Sequence, residues 1–158
     1  MVKDLLELHK GEKGICHCTN FKIVNFIRDN ISDPRLLIQD ETNRDMMLRY
    51  HIETDEPTVL VSPSMGEGVD LKDDLSRFQV FCKTPFPYIG DARTKKRMQK
   101  NDGWYDYMTC KSIVQAAGRS IRNENDYATT YILDACFDNF YRRNKRMFPK
   151  SFRDSMTT

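Results

Sequence analysis

Short apolar runs alternate along this chain with longer stretches whose apolar positions recur every three or four residues. The first pattern is that of buried strands and the second that of amphipathic helices. Read in order, it predicts a lead-in helix over Val2–His9, a strand over Gly14–Thr19 and a helix over Phe21–Asn30. A second strand and helix follow at Leu36–Gln39 and Asn43–Ile52. Strands at Thr58–Ser62 and Phe78–Lys83 come next, the latter closed by Thr84-Pro85-Phe86-Pro87. The charged stretch Arg93–Lys100 fits a short exposed helix or loop. A long helix is predicted over Trp104–Ile121, a strand over Tyr127–Asp134 and a closing helix over Phe137–Met147.

Strands that alternate with helical stretches form parallel sheets covered by helices. Thr58–Ser62 and Phe78–Lys83 are nearly continuous apolar or β-branched runs, as burial on both faces requires. The expected fold is therefore α/β, a mostly parallel sheet of about five strands between two helical layers. The length of 158 residues suits one domain.

Composition narrows the class only a little. The chain is 39% hydrophobic and 30% charged. No apolar run approaches the ~18 residues of a membrane span, and Lys3, Asp4 and Glu7 interrupt any signal-peptide pattern. An odd number of cysteines, five, in a chain without a secretory signal points to reduced thiols and a cytoplasmic, intracellular setting. Cys16 and Cys18 flank His17, but the other three cysteines are solitary, so no zinc set of paired ligands is expected. The net charge of +2 is unevenly spread. Residues 1–90 carry 11 basic and 15 acidic side chains, whereas residues 91–158 carry 14 and 8. A basic half is compatible with a phosphate backbone as partner and equally with a solvated surface. The basic runs at Arg93–Arg97 and Arg142–Arg146 read as solvated surface.

Two segments carry chemistry. Ser64-Met65-Gly66-Glu67-Gly68-Val69-Asp70 follows the third strand. A loop at the carboxyl end of a parallel strand is where α/β sheets place ligands. Gly66 and Gly68 permit close backbone approach, Asp70 can accept a ribose hydroxyl, and Glu67 can orient loop amides or an arginine. The second segment is Gln115-Ala116-Ala117-Gly118-Arg119-Ser120-Ile121-Arg122. Arg119 and Arg122, three apart on one helical face, are suited to grip a polyphosphate through bidentate contacts. Gly118, inside a helical run, costs about 1 kcal/mol against alanine and points to close approach by a ligand or another backbone.

In this order and separation the two segments resemble motifs V and VI of superfamily 2 helicases. The surrounding sequence resembles the XPD/DinG (Rad3-like) group, and within it the second RecA-like motor domain. His17-Cys18-Thr19-Asn20, at the end of the first strand, is similar to the motif IV region. The Pro-Phe-Pro turn, Asp126 and Leu133-Asp134 also fit, so the resemblance spans nearly the whole chain. It implies a three-layer RecA-like domain with Arg122 as an arginine finger and Arg119 as a phosphate or interdomain contact. Gly66, Glu67, Gly68, Asp70 and Gln115 would line or organise the nucleotide cleft. His17, Thr19, Asn20 and Ser64 would contact nucleic acid, Thr19 and Asn20 also being good helix caps.

No G-x-x-x-x-G-K-[ST] segment and no D-E-x-H box occurs. The resemblance therefore implies half of a motor. ATP and Mg²⁺ would be shared with an N-terminal RecA-like domain supplied elsewhere, and no iron–sulfur cluster is expected here. Single-stranded or forked DNA would be the partner. Two other classes remain open: a catalytically inactive helicase-like module that binds nucleic acid or regulates, and a Rossmann-like nucleotide enzyme. The latter lacks its G-x-G-x-x-G, since Gly11 and Gly14 precede the first strand.

Overall fold

The structure is a computed structural model that describes residues 1–64, 69–71, 73–120 and 126–157. Five strands form one parallel sheet: β1 (Gly14–His17), β2 (Leu36–Ile38), β3 (Val59–Ser62), β4 (Phe78–Phe81) and β5 (Thr129–Ile132), in the order β2-β3-β1-β4-β5. The helices are α1 (Val2–Leu8), α2 (Phe21–Asn30), α3 (Arg44–Glu53), α4 (Ala92–Lys100), α5 (Trp104–Ala117), α6 (Cys136–Asn144) and α7 (Lys150–Asp154). All four long apolar segments lie side by side and parallel, as their composition requires.

Every residue of β1, β3 and β4 is buried, because these strands are central and covered on both faces. Side chains alternate across the sheet. Cys16, Val59, Val61, Phe78 and Val80 point to the face covered by Leu6 of α1 and by Val24 and Ile27 of α2. Ile15 and Leu60 point the other way, toward Met47 and Leu48 of α3 and toward Val69 and Leu71. Cys110 and Ile113 of α5 join Phe137 and Phe140 of α6 and Phe148 in a third apolar cluster, which Ile132 of β5 also touches. Alternation along β5 places that cluster on the α3 side of the sheet. Two helical layers therefore enclose the sheet, in the three-layer arrangement of RecA-like domains.

Local capping explains the element ends. The Asn20 side chain accepts from Ile23 N at 3.1 Å and starts α2. Asp91 accepts from Arg93 N and Thr94 N, both at 3.2 Å, so the charged stretch is helical. Gly103, with φ 84°, turns the chain from α4 into α5. The long helix ends earlier than its pattern suggests. It stops at Ala117, and Gly118–Ser120 tightens into a 3₁₀ turn. Two side chains from β4 and its approach account for this. Gln79 Nε2 donates to the Ala117 carbonyl at 2.9 Å, and Ser120 Oγ bonds Ser76 Oγ at 2.8 Å. A Cβ on Gly118 would meet no atom within 4 Å. Of the two expected neighbours, another backbone does not stand close to Gly118 among the described residues.

Arg77 clamps the entries of β4 and β5. Its Nη1 donates to Asp126 Oδ1 at 2.7 Å and to the Tyr127 carbonyl at 3.0 Å, and its Nη2 donates to Asp74 Oδ1 at 2.8 Å. The Asp126 side chain is fully buried and also accepts from Asp73 N. Removing the Asp126 carboxylate leaves Arg77 paired with Asp74 but takes the acceptor from Asp73 N. Asp126→Ala is expected to lower the unfolding free energy by about 2 kcal/mol, as read by urea titration. A loss below about 0.5 kcal/mol would mean that the pair acts as a surface bridge.

Candidate functional site

Strand order sets where a site can form. From β1 the chain crosses to β2, returns to β3 beside β1, and then passes to β4 on the other side of β1. Connections thus leave in opposite directions around β1, and such a switch point opens a crevice at the carboxyl ends of the strands. A cavity of about 350 Å³ lies there. Its walls are His17, Cys18 and Thr19 at the end of β1, Pro63 and Ser64 after β3, Phe81, Lys83 and Pro85 at the end of β4, and Ser112, Gln115 and Ala116 of α5.

Four of the expected residues, His17, Thr19, Ser64 and Gln115, therefore share one cavity, although 98 positions separate the first from the last. Asn20 stands beside it, with its side-chain oxygen committed to capping α2 and its amide 3.4 Å from Thr19 Oγ1. Among the described residues lining the cavity there is one cation, Lys83, several hydroxyl or amide groups, and no carboxylate. That lining suits an anion such as a phosphodiester.

Ser64 is anchored from below. Its Oγ lies 3.2 Å from both amide atoms of Gln39, and its backbone N–H donates to Ser62 Oγ at 3.0 Å. Ser62 in turn donates to Gln39 Oε1. This buried knot fixes the departure point of the Gly-rich loop. Gly66, Glu67 and Gly68 lie outside the described residues, as does Arg122. Asp70 is exposed between buried Val69 and Leu71.

Arg119 does not line that cavity; its turn is tied through Ser120 to Ser76, ahead of β4. Leu71 N donates to the Arg119 carbonyl at 3.3 Å, which joins the segment after the Gly-rich loop to the arginine segment. Arg119 Nε is buried without a hydrogen-bond partner, and no carboxylate among the described residues pairs with its guanidinium. Because α5 ends at Ala117, Arg119 sits in the 3₁₀ turn rather than on a continuous helical face.

His17 contributes through the interior. Its Nε2 donates to Gln79 Oε1 at 3.0 Å, and its ring stacks on Phe81 with centroids 4.6 Å apart. Burial pushes its pKa down to about 4, partly opposed by the Gln79 contact, so the ring is neutral. His51 is likewise buried, with Nε2 donating to the Leu75 carbonyl at 2.7 Å and Thr58 Oγ1 2.8 Å from Nδ1; burial again lowers it to about 4. An unfolded histidine binds a proton near pH 6.5. Between that value and about 4 the unfolded chain holds more protons, so stability falls as pH falls. Each histidine is expected to remove roughly 1.4 kcal/mol per pH unit across that window. Urea midpoints measured at intervals across it check this, and a flat profile refutes neutral burial of both rings.

Gln39, Gln79, Lys83 and Ser112 carry no motif signal and escaped the sequence reading. Only their position at strand ends or on the inner face of α5 reveals them. Trp104 and Tyr105 are engaged within the domain. Arg97 stands 5.5 Å from the Trp104 ring, and Tyr105 stacks on Phe86 at 5.8 Å.

Curated relatives include the ATP-dependent DNA helicase CHL1 of Candida albicans, 28% identical over 145 residues, which cover 76% of this chain and 17% of that protein. The regulator of telomere elongation helicase 1 homolog of Caenorhabditis elegans is 27% identical over 109 residues, covering 59% of this chain and 11% of that protein. The chain thus spans less than a fifth of the length of either. The solved structure of S. tokodaii Xpd4 superposes with a TM-score of 0.66 at 18% identity, over 95% of this chain and 31% of that one. A second XPD structure gives a TM-score of 0.66 at 20% identity, over 94% of this chain and 34% of that one. Both likenesses show the RecA-like fold. Residues 3–155 match the helicase C-terminal domain family, and the chain belongs to that family.

Proposed function

We propose that this chain is a single RecA-like domain, the second motor domain of a longer, intracellular, XPD/DinG-like ATP-dependent DNA helicase. The observation that supports this best is the lining of the cavity at the carboxyl ends of the strands. Thr19, Ser64, Lys83 and Gln115 line a cavity with no carboxylate among its described residues, and the Leu71–Arg119 hydrogen bond joins the two motif segments. The lining is the proposed nucleic-acid contact, with Thr19, Asn20 and Ser64 offering hydroxyl and amide groups and Lys83 a charge. His17 acts as a neutral support behind it.

ATP and Mg²⁺ would be held chiefly by an N-terminal RecA-like domain, since this chain has no phosphate-binding loop of its own. When bound, ATP supplies the phosphoryl bond whose hydrolysis drives closure and opening of the two lobes. Arg119 fits the cleft chemically, because its Nε is buried and unpaired. It would place its guanidinium on phosphate oxygens, with Arg122 as the finger and Gly66, Glu67, Gly68, Asp70 and Gln115 organising the loop between cleft and strand. Single-stranded or forked DNA is the proposed substrate.

The test is a titration of this chain with fluorescent single-stranded DNA. Binding should weaken by at least tenfold between about 50 and 200 mM salt, because counterion release is lost. Lys83→Glu should weaken low-salt binding about tenfold without lowering the melting temperature, since Lys83 is exposed. No binding at low salt, or unaltered binding by Lys83→Glu, would remove the cavity from the nucleic-acid path.

A further inference from the structure

β1 and β4 are in parallel register, with His17 opposite Phe81. One step further, Cys82 N donates to the His17 carbonyl at 3.1 Å, so the pairing continues and brings Cys18 opposite Cys82. Side-chain alternation points both thiols to the α2 face. There Cys18 belongs to the buried cluster and Cys82 packs against it. Adjacent strands lie about 4.8 Å apart, inside the separation of about 4.4–6.8 Å that a disulfide spans between Cα atoms. Cys16, two residues along the same extended strand, is about 6.7 Å from Cys18, at the limit of that range. We propose that Cys18 and Cys82 form a peroxide-oxidisable dithiol whose disulfide locks the ends of β1 and β4 together at the cavity mouth.

The two thiols are unlike. Cys18 is 2% exposed, whereas Cys82 is partly open to solvent. The Cys18 thiol donates to the Cys16 carbonyl at 3.8 Å, and the Cys82 thiol is its neighbour across the strand pair. The neighbouring Cys82 thiol and burial hold Cys18 above the ordinary thiol range, and the interaction with Cys18 draws Cys82 below it. Cys82 is thus the attacking sulfur, because the thiolate is the nucleophile. Its thiolate attacks one oxygen of hydrogen peroxide, forming the S–O bond of a sulfenic acid while the O–O bond breaks and hydroxide leaves. The sulfur of Cys18 then attacks the sulfenic sulfur. The S–S bond forms, the S–O bond breaks, and water leaves with the Cys18 proton. The proton first shed by Cys82 neutralises the hydroxide, so two thiols and one peroxide give one disulfide and two waters.

The residues that follow, Thr19 and Lys83, both line the cavity. A covalent tie between their neighbours fixes their spacing and restrains the opening of the crevice. The consequence for nucleic acid rests on the proposed role of the cavity; the disulfide itself does not.

The folded chain is treated with a small excess of hydrogen peroxide, alkylated, digested with trypsin and mapped by mass spectrometry. Trypsin cutting after Lys13, Lys22, Arg77 and Lys83 leaves Cys16 and Cys18 on one peptide and Cys82 on another. The expected result is a cross-link between these two peptides and a fall in free thiols from five to three. The link should persist in Cys16→Ser, vanish in Cys18→Ala and Cys82→Ala, and open with dithiothreitol. Circular dichroism confirms that each variant folds, and fragmentation of the wild-type cross-link identifies the paired cysteine even where a variant does not. Failure to cross-link, a link that survives Cys18→Ala, or oxidation confined to exposed Cys136 overturns the proposal. The oxidised chain should also bind single-stranded DNA at least threefold more weakly or more tightly than the reduced one. A confirmed disulfide with unchanged DNA affinity would leave the dithiol in place and count against the cavity as a nucleic-acid site.

Discussion

Arg119→Ala, introduced into the proposed full-length helicase, is expected to lower DNA-stimulated ATP turnover by about 10³-fold while the protein stays folded. The geometry behind this is specific. Arg119 has no carboxylate partner among the described residues, and its Nε is buried without a hydrogen bond. A guanidinium kept in that state is costly unless something else completes it. Its backbone is meanwhile held by the Leu71 hydrogen bond and by Ser120 on Ser76, so the turn is placed independently of the side chain. Removing the side chain should therefore leave the melting temperature within a few degrees of the parent. Steady-state ATPase and thermal unfolding on the same preparation separate the outcomes. A stable variant with undiminished turnover would make Arg119 a structural surface residue and would take the cleft assignment with it. Arg122→Ala is expected to show the same loss, with ATP affinity changed little, because a finger acts mainly on the transition state.

Phe78→Ala should cost about 4 kcal/mol of stability, a large share of the 5–15 kcal/mol typical of a domain. Phe78 is fully buried in the central part of the sheet. Its ring stacks on His9 with centroids 4.4 Å apart and fills the space above Gly14, where a Cβ would come within 2.4 Å of it. His9 is itself held by Tyr131 Oη at 2.9 Å and Glu12 at 2.6 Å. Truncation thus opens a void under α1 that its neighbours are too constrained to fill. Chemical denaturation followed by circular dichroism reads the loss. A cost below about 1 kcal/mol would show that α1 collapses onto the sheet, and that the ring is not what spaces them.

The order of elements, their parallel pairing and the three-layer architecture were legible in the residues. Continuous apolar runs such as Val59-Leu60-Val61 suit only a strand covered on both faces. Caps such as Asn20 marked a helix start, whereas the charged stretch left helix or loop open until the structure showed Asp91 capping it. The two motif segments were legible as well, because glycines and arginines at fixed spacing are local signals. Where α5 ends was not legible. That depends on Gln79 and Ser76 reaching across from β4 and its approach, and no local rule on residues 104–121 contains them. Nor did sequence alone reveal the partners of the site. His17, Thr19, Ser64, Lys83 and Gln115 become neighbours only because the strand order β2-β3-β1-β4-β5 opens a crevice around β1. The pairing of Cys18 with Cys82 needed the β1–β4 register in the same way. Hydrophobic pattern and capping act over a few residues and so are written in the chain. Strand order and register are set by which buried faces meet, and only the folded packing of the whole sheet decides them.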